Sequence, residues 1–256
     1  MYRLMLYFLL VLVGVAVLLS TVSIIPFRPI TLILNTIYLV AACKVFNTIF
    51  STLFKVPTNV ESSIITGLIL SLIVGPMEFL PNILVLTTIP ALAMGSKYIL
   101  AIRKKHIFNP AAFGVVAGAL VLNQGASWWV GLPQLVPFTV LGGLLILKKI
   151  RRWEMVAAFL LVEIATLYFD KLSIARNDVL SILLNSPLLF FSLVMLVEPL
   201  TSPTSKKMQI IYGLVVATST FVISRLFVDA YYGLELSLLI GNIFSYIVSG
   251  SFRQSM

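Results

Sequence analysis

From near its first residue to near its last, the chain is a succession of apolar runs of roughly 17–25 residues, each long enough to cross about 30 Å of hydrocarbon. No stretch between these runs is long enough to hold a separate soluble domain. The 256 residues are 60% hydrophobic and only 11% charged, whereas a soluble domain carries about a quarter charged residues. A mean hydropathy of +1.08 points the same way. Lipid must solvate most of this surface, and in lipid a helix satisfies its own backbone. The expected fold is all-α and polytopic, a single transmembrane domain over residues 1–256.

Pro, Gly and charge clusters punctuate the runs into about ten spans. They lie near 4–25, 30–54, 60–75, 79–99, 109–123, 132–148, 153–169, 179–197, 207–228 and 232–249. The first run, MYRLMLYFLLVLVGVAVLLSTVSIIPF, is too long for a signal-peptide core and lacks a clear cleavage site, so it reads as a retained span. With the N-terminus inside, the inner segments hold 13 of the 18 Lys and Arg. These are Arg3, Lys55, Lys97, Arg103, Lys104, Lys105, Lys148, Lys149, Arg151, Arg152, Lys206, Lys207 and Arg253. The outer loops hold Arg28, Lys171 and Arg176, and Lys44 and Arg225 fall within spans. That bias fits the positive-inside rule and predicts N-in, C-in, with the protein in the cell inner (cytoplasmic) membrane. The net charge of +9 is thereby explained by topology, and nucleic-acid binding is not expected. Ten spans also suggest a five-plus-five inverted repeat with halves 1–125 and 126–256, to which 66-TGLIL-70 and 186-SPLLF-190 lend a short internal match.

An ionisable side chain inside a bilayer costs at least a few kcal/mol and is a functional candidate for that reason. Glu163, central to the seventh span, reads either as a structural acid or as part of an ion or proton path. Lys44, Asn47, Ser51 and Lys55 recur at near-helical spacing, a polar stripe that suits a helix contact or snorkelling better than a ligand. Arg225, Asp229 and Glu235 read as a salt-bridged rim at the outer interface.

Two segments on the inner side carry more. In 104-KKHIFNPAAFG-114, Asn109 is a preferred N-cap and Pro110 suits the first turn of a helix. A helix starting there aims N–H groups and a positive dipole end at an anionic or carbonyl-rich ligand, with Lys104, Lys105 and His106 close by. The second segment, 198-EPLTSPTSKK-207, offers Glu198, Thr201, Ser202, Thr204, Ser205, Lys206 and Lys207, and its two prolines prevent a plain helix. Broken backbone near membrane depth survives where it is buried in protein or lines a cavity, so the pair reads either as a binding cleft or as two capped loops. The single His106 and single Cys43 exclude a bis-histidine haem or a cysteine-built metal site within the chain. No phosphate-binding glycine loop, nucleophile–histidine–carboxylate set or metal-ligand spacing occurs. Any chemistry must come from a bound organic cofactor or a partner.

Three segments together resemble a known family, the NqrB/RnfD membrane proteins of the sodium-translocating NADH:quinone reductase and the Rnf-type electron-transport complex. The run 61-ESSIITGLILSLIVGP-76 is similar to one of that family's spans. The stretch 104-KKHIFNPAAFG-114 resembles its N-x-F-N-P-A element, and 195-MLVEPLTSPTSKKMQIIYG-213 resembles its M-x-T-D-P-V-T-S-P element. The resemblance implies an inverted-repeat helical fold carrying flavin in an ion-coupled or quinone-linked electron chain. It implies a noncovalent flavin, FMN or riboflavin, near Lys105, His106, Phe108, Asn109, Pro110, Glu198, Thr201, Ser202, Thr204 and Lys206. The partners it implies are a cytoplasmic flavin or iron–sulfur reductase and a quinone. Two departures are plain. The outer loop 123-NQGASWWVGLPQ-134 lacks the S/T-G-A-T motif that carries a covalent FMN-threonine, which is not expected here. The glycine-rich F-G-G-x-G is replaced by 96-SKYILAIRKKH-106. A solute or ion transporter on the same scaffold, or an assembly protein that docks a reductase, stands as the alternative.

Overall fold

A computed structural model describes residues 2–102, 105–170, 183, 187–226 and 232–254, with side chains at 170 and 250–254 excepted. Arg103, Lys104, Lys171, Arg176, Ser186, Asp229 and the Arg253 side chain lie outside the described residues. The chain is a polytopic helical membrane protein. It divides into two compact units, Met1–Val130 and Gly131–Met256.

The first unit comprises α1 (Tyr2–Thr21), α2 (Pro29–Phe54), α3 (Val60–Ile73), α4 (Ile83–Ile99), a hairpin of β1 (Ala101–Ile102) and β2 (Lys105–His106), and α5 (Pro110–Leu122). Among the described residues α1 and α2 are long and apolar enough to cross a membrane, while α3, α4 and α5 are shorter apolar helices. The division follows burial. On α1 and α2 large apolar side chains such as Val11, Leu18, Ile37 and Leu53 are exposed, as lipid contact demands. On α3 every residue from Ile65 to Ile73 is buried. Close helix approach is built on glycine: a Cβ on Gly67 would lie 2.6 Å from Val40 Cα, and one on Gly114 would lie 2.8 Å from Ile89 O.

A 14-residue helix spans only about 20 Å, so α3 leaves polar backbone at membrane depth. The loop after α5 covers it. Ser127 N and Trp128 N donate to Ile73 O at 2.8 and 3.0 Å, and the Trp129 indole N–H donates to Ser71 O at 2.8 Å. Asn35 Nδ2 donates to Met77 O at 2.9 Å, and Met77 N donates back to Asn35 Oδ1 at 3.3 Å. These bonds let non-helical backbone exist inside the protein. The fourth span accordingly begins at Ile83, later than the expected 79, because Pro81 disfavours helical backbone at Leu80.

The second unit contains α6 (Val136–Ile150), α7 (Trp153–Asp170), α8 (Leu188–Phe190) running into a π-turn (Phe191–Met195), α9 (Lys206–Leu226) and α10 (Gly233–Gln254). α9 meets the length and apolarity for a crossing. It packs along α7 and α10, and Gly213 lets it approach α7 so closely that a Cβ would lie 2.5 Å from Met155 O. Arg151, in left-handed conformation at φ 56°, and Arg152 alone separate α6 from α7. Within each unit basic residues gather at one end: Arg3 beside Glu61, Lys97 and Lys105 in the first; Lys148, Lys149, Arg151, Arg152 and Lys206 in the second.

Candidate functional site

The 198–206 turn is the most heavily built polar feature of the second unit. It follows the π-turn, whose Leu196 N–H reaches back to Phe191 O at 2.9 Å, an interruption of a kind frequent at functional sites. Arg152, only 4% exposed, donates from Nη1 to Ser202 Oγ and to Pro203 O, the latter at 2.9 Å. The Ser202 hydroxyl in turn donates to Glu198 O, and Thr201 Oγ1 donates to Glu198 Oε2 at 3.1 Å. From α10, Asn242 Nδ2 donates to Thr201 O at 3.4 Å and to Tyr212 OH at 2.9 Å. From α9, Gln209 Nε2 donates to Thr204 O at 3.0 Å, and Ser205 O accepts from Gln209 N at 2.9 Å. The turn is thus fixed from three sides before any ligand is considered.

Electrostatics single out Arg152. Burial pulls its pKa below the ordinary arginine value, while Tyr212 and Glu198 act in the opposite direction. Its hydrogen bonds run to neutral oxygens, and among the described residues no carboxylate lies within ion-pair distance of it. A guanidinium so placed is costly to bury.

Sequence reasoning puts Glu198, Thr201 and Ser202 in one segment, and the structure places them within that single hydrogen-bonded turn. Thr201 and Ser202 are buried, whereas Thr204 and Lys206 are exposed. Lys206 does not stand alone as an anion attractor, because its Nζ lies 2.8 Å from Glu154 Oε1. Sequence reasoning misses Arg152, Gln209, Tyr212 and Asn242 as site residues. The topological charge count absorbs Arg152, yet it is one of only two residues in a helix–helix turn. Asn242 is a lone amide in the run LLIGNIFSYI, a signal of the same kind as Glu163.

In the first unit, β1 and β2 pair antiparallel, with Ala101 opposite His106 and Ile102 opposite Lys105. Ile107 N–H donates to Leu100 O at 3.2 Å. Asn109 is the N-cap of α5 and Pro110 its first residue; Asn109 Oδ1 accepts from Ala112 N at 3.1 Å and its carbonyl from Phe113 N at 3.0 Å. The helix start therefore caps itself, and fewer N–H groups remain for a ligand than expected. Lys105 is exposed, His106 and Phe108 are half-buried, and the Phe108 ring lies 5.9 Å from that of Phe113.

Three further readings are corrected or refined. Lys44 is exposed and does not share the buried face of Asn47 and Ser51; that face contacts α4, where Tyr98 OH donates to Asn47 Oδ1 at 2.9 Å. Glu235 is fully buried in the first turn of α10. Arg225 is exposed and stands over the Phe221 ring at 5.2 Å. Glu163 is buried, its Oε1 has no hydrogen-bond partner, and the Thr220 hydroxyl faces its carboxyl group. Among the described residues no group of His, Cys, Asp or Glu could hold a metal ion.

Residues 134–256 match the NQR2, RnfD, RnfE family. The match includes Arg152, Glu163, the π-turn and the whole 198–206 turn. No curated protein matches the chain.

Proposed function

We propose that this protein is a membrane-embedded electron-transfer component of the cell inner membrane that holds a noncovalent flavin, FMN or riboflavin, on its cytoplasmic side. It passes electrons between a cytoplasmic flavin or iron–sulfur reductase and a quinone or another acceptor. The observation that carries this reading is the family match over residues 134–256, a family associated with the Rnf and Nqr electron-transport complexes. The matched stretch contains the 198–206 turn, whose polar groups are held by Arg152, Gln209 and Asn242. The flavin supplies the redox chemistry. The chain's own residues bind and orient it: Glu198, Thr201 and Ser202 on the 198–206 turn of the second unit. Lys207, exposed at the start of α9, adds positive charge beside that turn, which favours an acidic partner face or a phosphate tail.

The test is the absorbance spectrum of the purified protein, followed by acid extraction. A band near about 450 nm that leaves with the acid supernatant fits a noncovalent flavin. A colourless preparation that also takes up neither FMN nor riboflavin sinks the reading. One observation favours a second reading, an ion or solute path without redox chemistry: the buried, unpartnered Oε1 of Glu163. Flux that is abolished by Glu163→Gln in a preparation free of flavin would select it.

A further inference from the structure

Arg152 lies in the α6–α7 turn, outside the segments that sequence similarity assigned to a ligand. Its guanidinium nevertheless holds Ser202 Oγ and Pro203 O together. The Ser202 hydroxyl passes the constraint to the Glu198 carbonyl, and the Glu198 carboxylate is tied to Thr201. Three polar groups of the turn thus depend on one buried cation. Among the described residues nothing else holds Pro203 O: Gln209 and Asn242 secure the flanking carbonyls of Thr204 and Thr201. The arrangement is expensive, because the guanidinium is nearly excluded from solvent without a carboxylate in contact. Apolar side chains would have packed the same turn at lower cost. A buried charge bonded only to loop oxygens has a simple use, which is to hold that loop in one conformation.

We propose that Arg152 is the positioning residue of the 198–205 turn, fixing Glu198, Thr201 and Ser202 in the arrangement that receives the ligand. Arg152 acts through the turn and need not touch the ligand. The ligand half of this inference rests on the flavin reading above; the turn half does not.

The experiment compares full-length wild type, Arg152→Gln and Arg152→Lys in detergent by hydrogen-exchange mass spectrometry and by fluorescence titration with riboflavin and FMN. Loss of hydrogen bonds to a charged group makes exchange across 199–205 faster by about tenfold or more in Arg152→Gln. Exchange in the middle of α7 and α9 stays as in wild type. Flavin affinity falls by about the same factor, and Arg152→Lys, which keeps a charged donor, recovers part of both. Unchanged exchange across 199–205 overturns the proposal. So does an increase spread equally over α7 and α9, which would make Arg152 a general support of the fold. A loosened turn with wild-type flavin affinity overturns the ligand half. A wild type that takes up no flavin removes the flavin reading and the ligand half with it, while the exchange measurement still decides whether Arg152 sets the turn.

Discussion

The amide of Asn242 donates to the hydroxyl of Tyr212 at 2.9 Å, deep between α10 and α9, with both side chains fully buried. The same amide reaches Thr201 O at 3.4 Å, so this pair carries the position of the 198–206 turn into the helix packing. Tyr212→Phe preserves shape and strands one Asn242 donor, a loss of about 1–3 kcal/mol. Asn242→Leu strands both the Tyr212 hydroxyl and the Thr201 carbonyl and is the more damaging change. Thermal unfolding in detergent ranks the two, and equal melting temperatures would show that the Thr201 contact adds nothing.

Gly213 and Gly14 separate packing from helix propensity. A Cβ at Gly213 meets Met155 O at 2.5 Å and Phe159 N at 3.1 Å, and backbone atoms cannot swing aside as a side chain can. Gly213→Ala therefore pushes α9 off α7 and destabilises by about 1–3 kcal/mol. At Gly14 nothing lies within 4 Å of such a Cβ. Gly14→Ala is neutral or gains up to about 1 kcal/mol from propensity. Melting curves of the two variants read opposite signs.

The helical spans are legible in the sequence because lipid imposes one solution on a long apolar run, and α1, α2, α6 and α7 fall close to the expected limits. The Asn109–Pro110 helix start is legible for a local reason: an N-cap and a first-turn proline act within a few residues. The pairing of β1 with β2 is not, since strands of two residues leave no periodicity to read. Arg152 escapes for a different reason. Two adjacent arginines look alike in sequence, yet the left-handed backbone of Arg151 leaves it exposed. Arg152 is buried against a turn whose nearest bonded residue, Ser202, is 50 positions away. Contacts at that separation leave no trace in local pattern.

Gly75 has φ +97°, and a Cβ there would lie 2.5 Å from Ser127 Oγ. Gly75→Ala thus combines backbone strain of about 1–2 kcal/mol with displacement of the loop that caps α3. The expected result is a lower melting temperature together with faster exchange of the Ser127 and Trp128 amides. Ser127→Gly in the same background removes the clash but not the strain and recovers only part of the stability.

Glu163→Gln distinguishes a structural acid from a working one. The carboxyl lies inside the seventh span with Oε1 unpartnered, so it contributes little to holding helices together. An amide of the same shape does not need to exclude charge from an apolar setting. The melting temperature is therefore expected to stay level or to rise. If Glu163 lies on an ion or proton path, ion-coupled turnover of the variant in proteoliposomes falls by about tenfold or more, the scale of losing one ionisable group in a relay. Flavin content, carried by residues outside α7, does not change. A Glu163→Gln protein that is stable, holds its flavin and keeps wild-type ion coupling would make the residue a structural acid and remove it from the path.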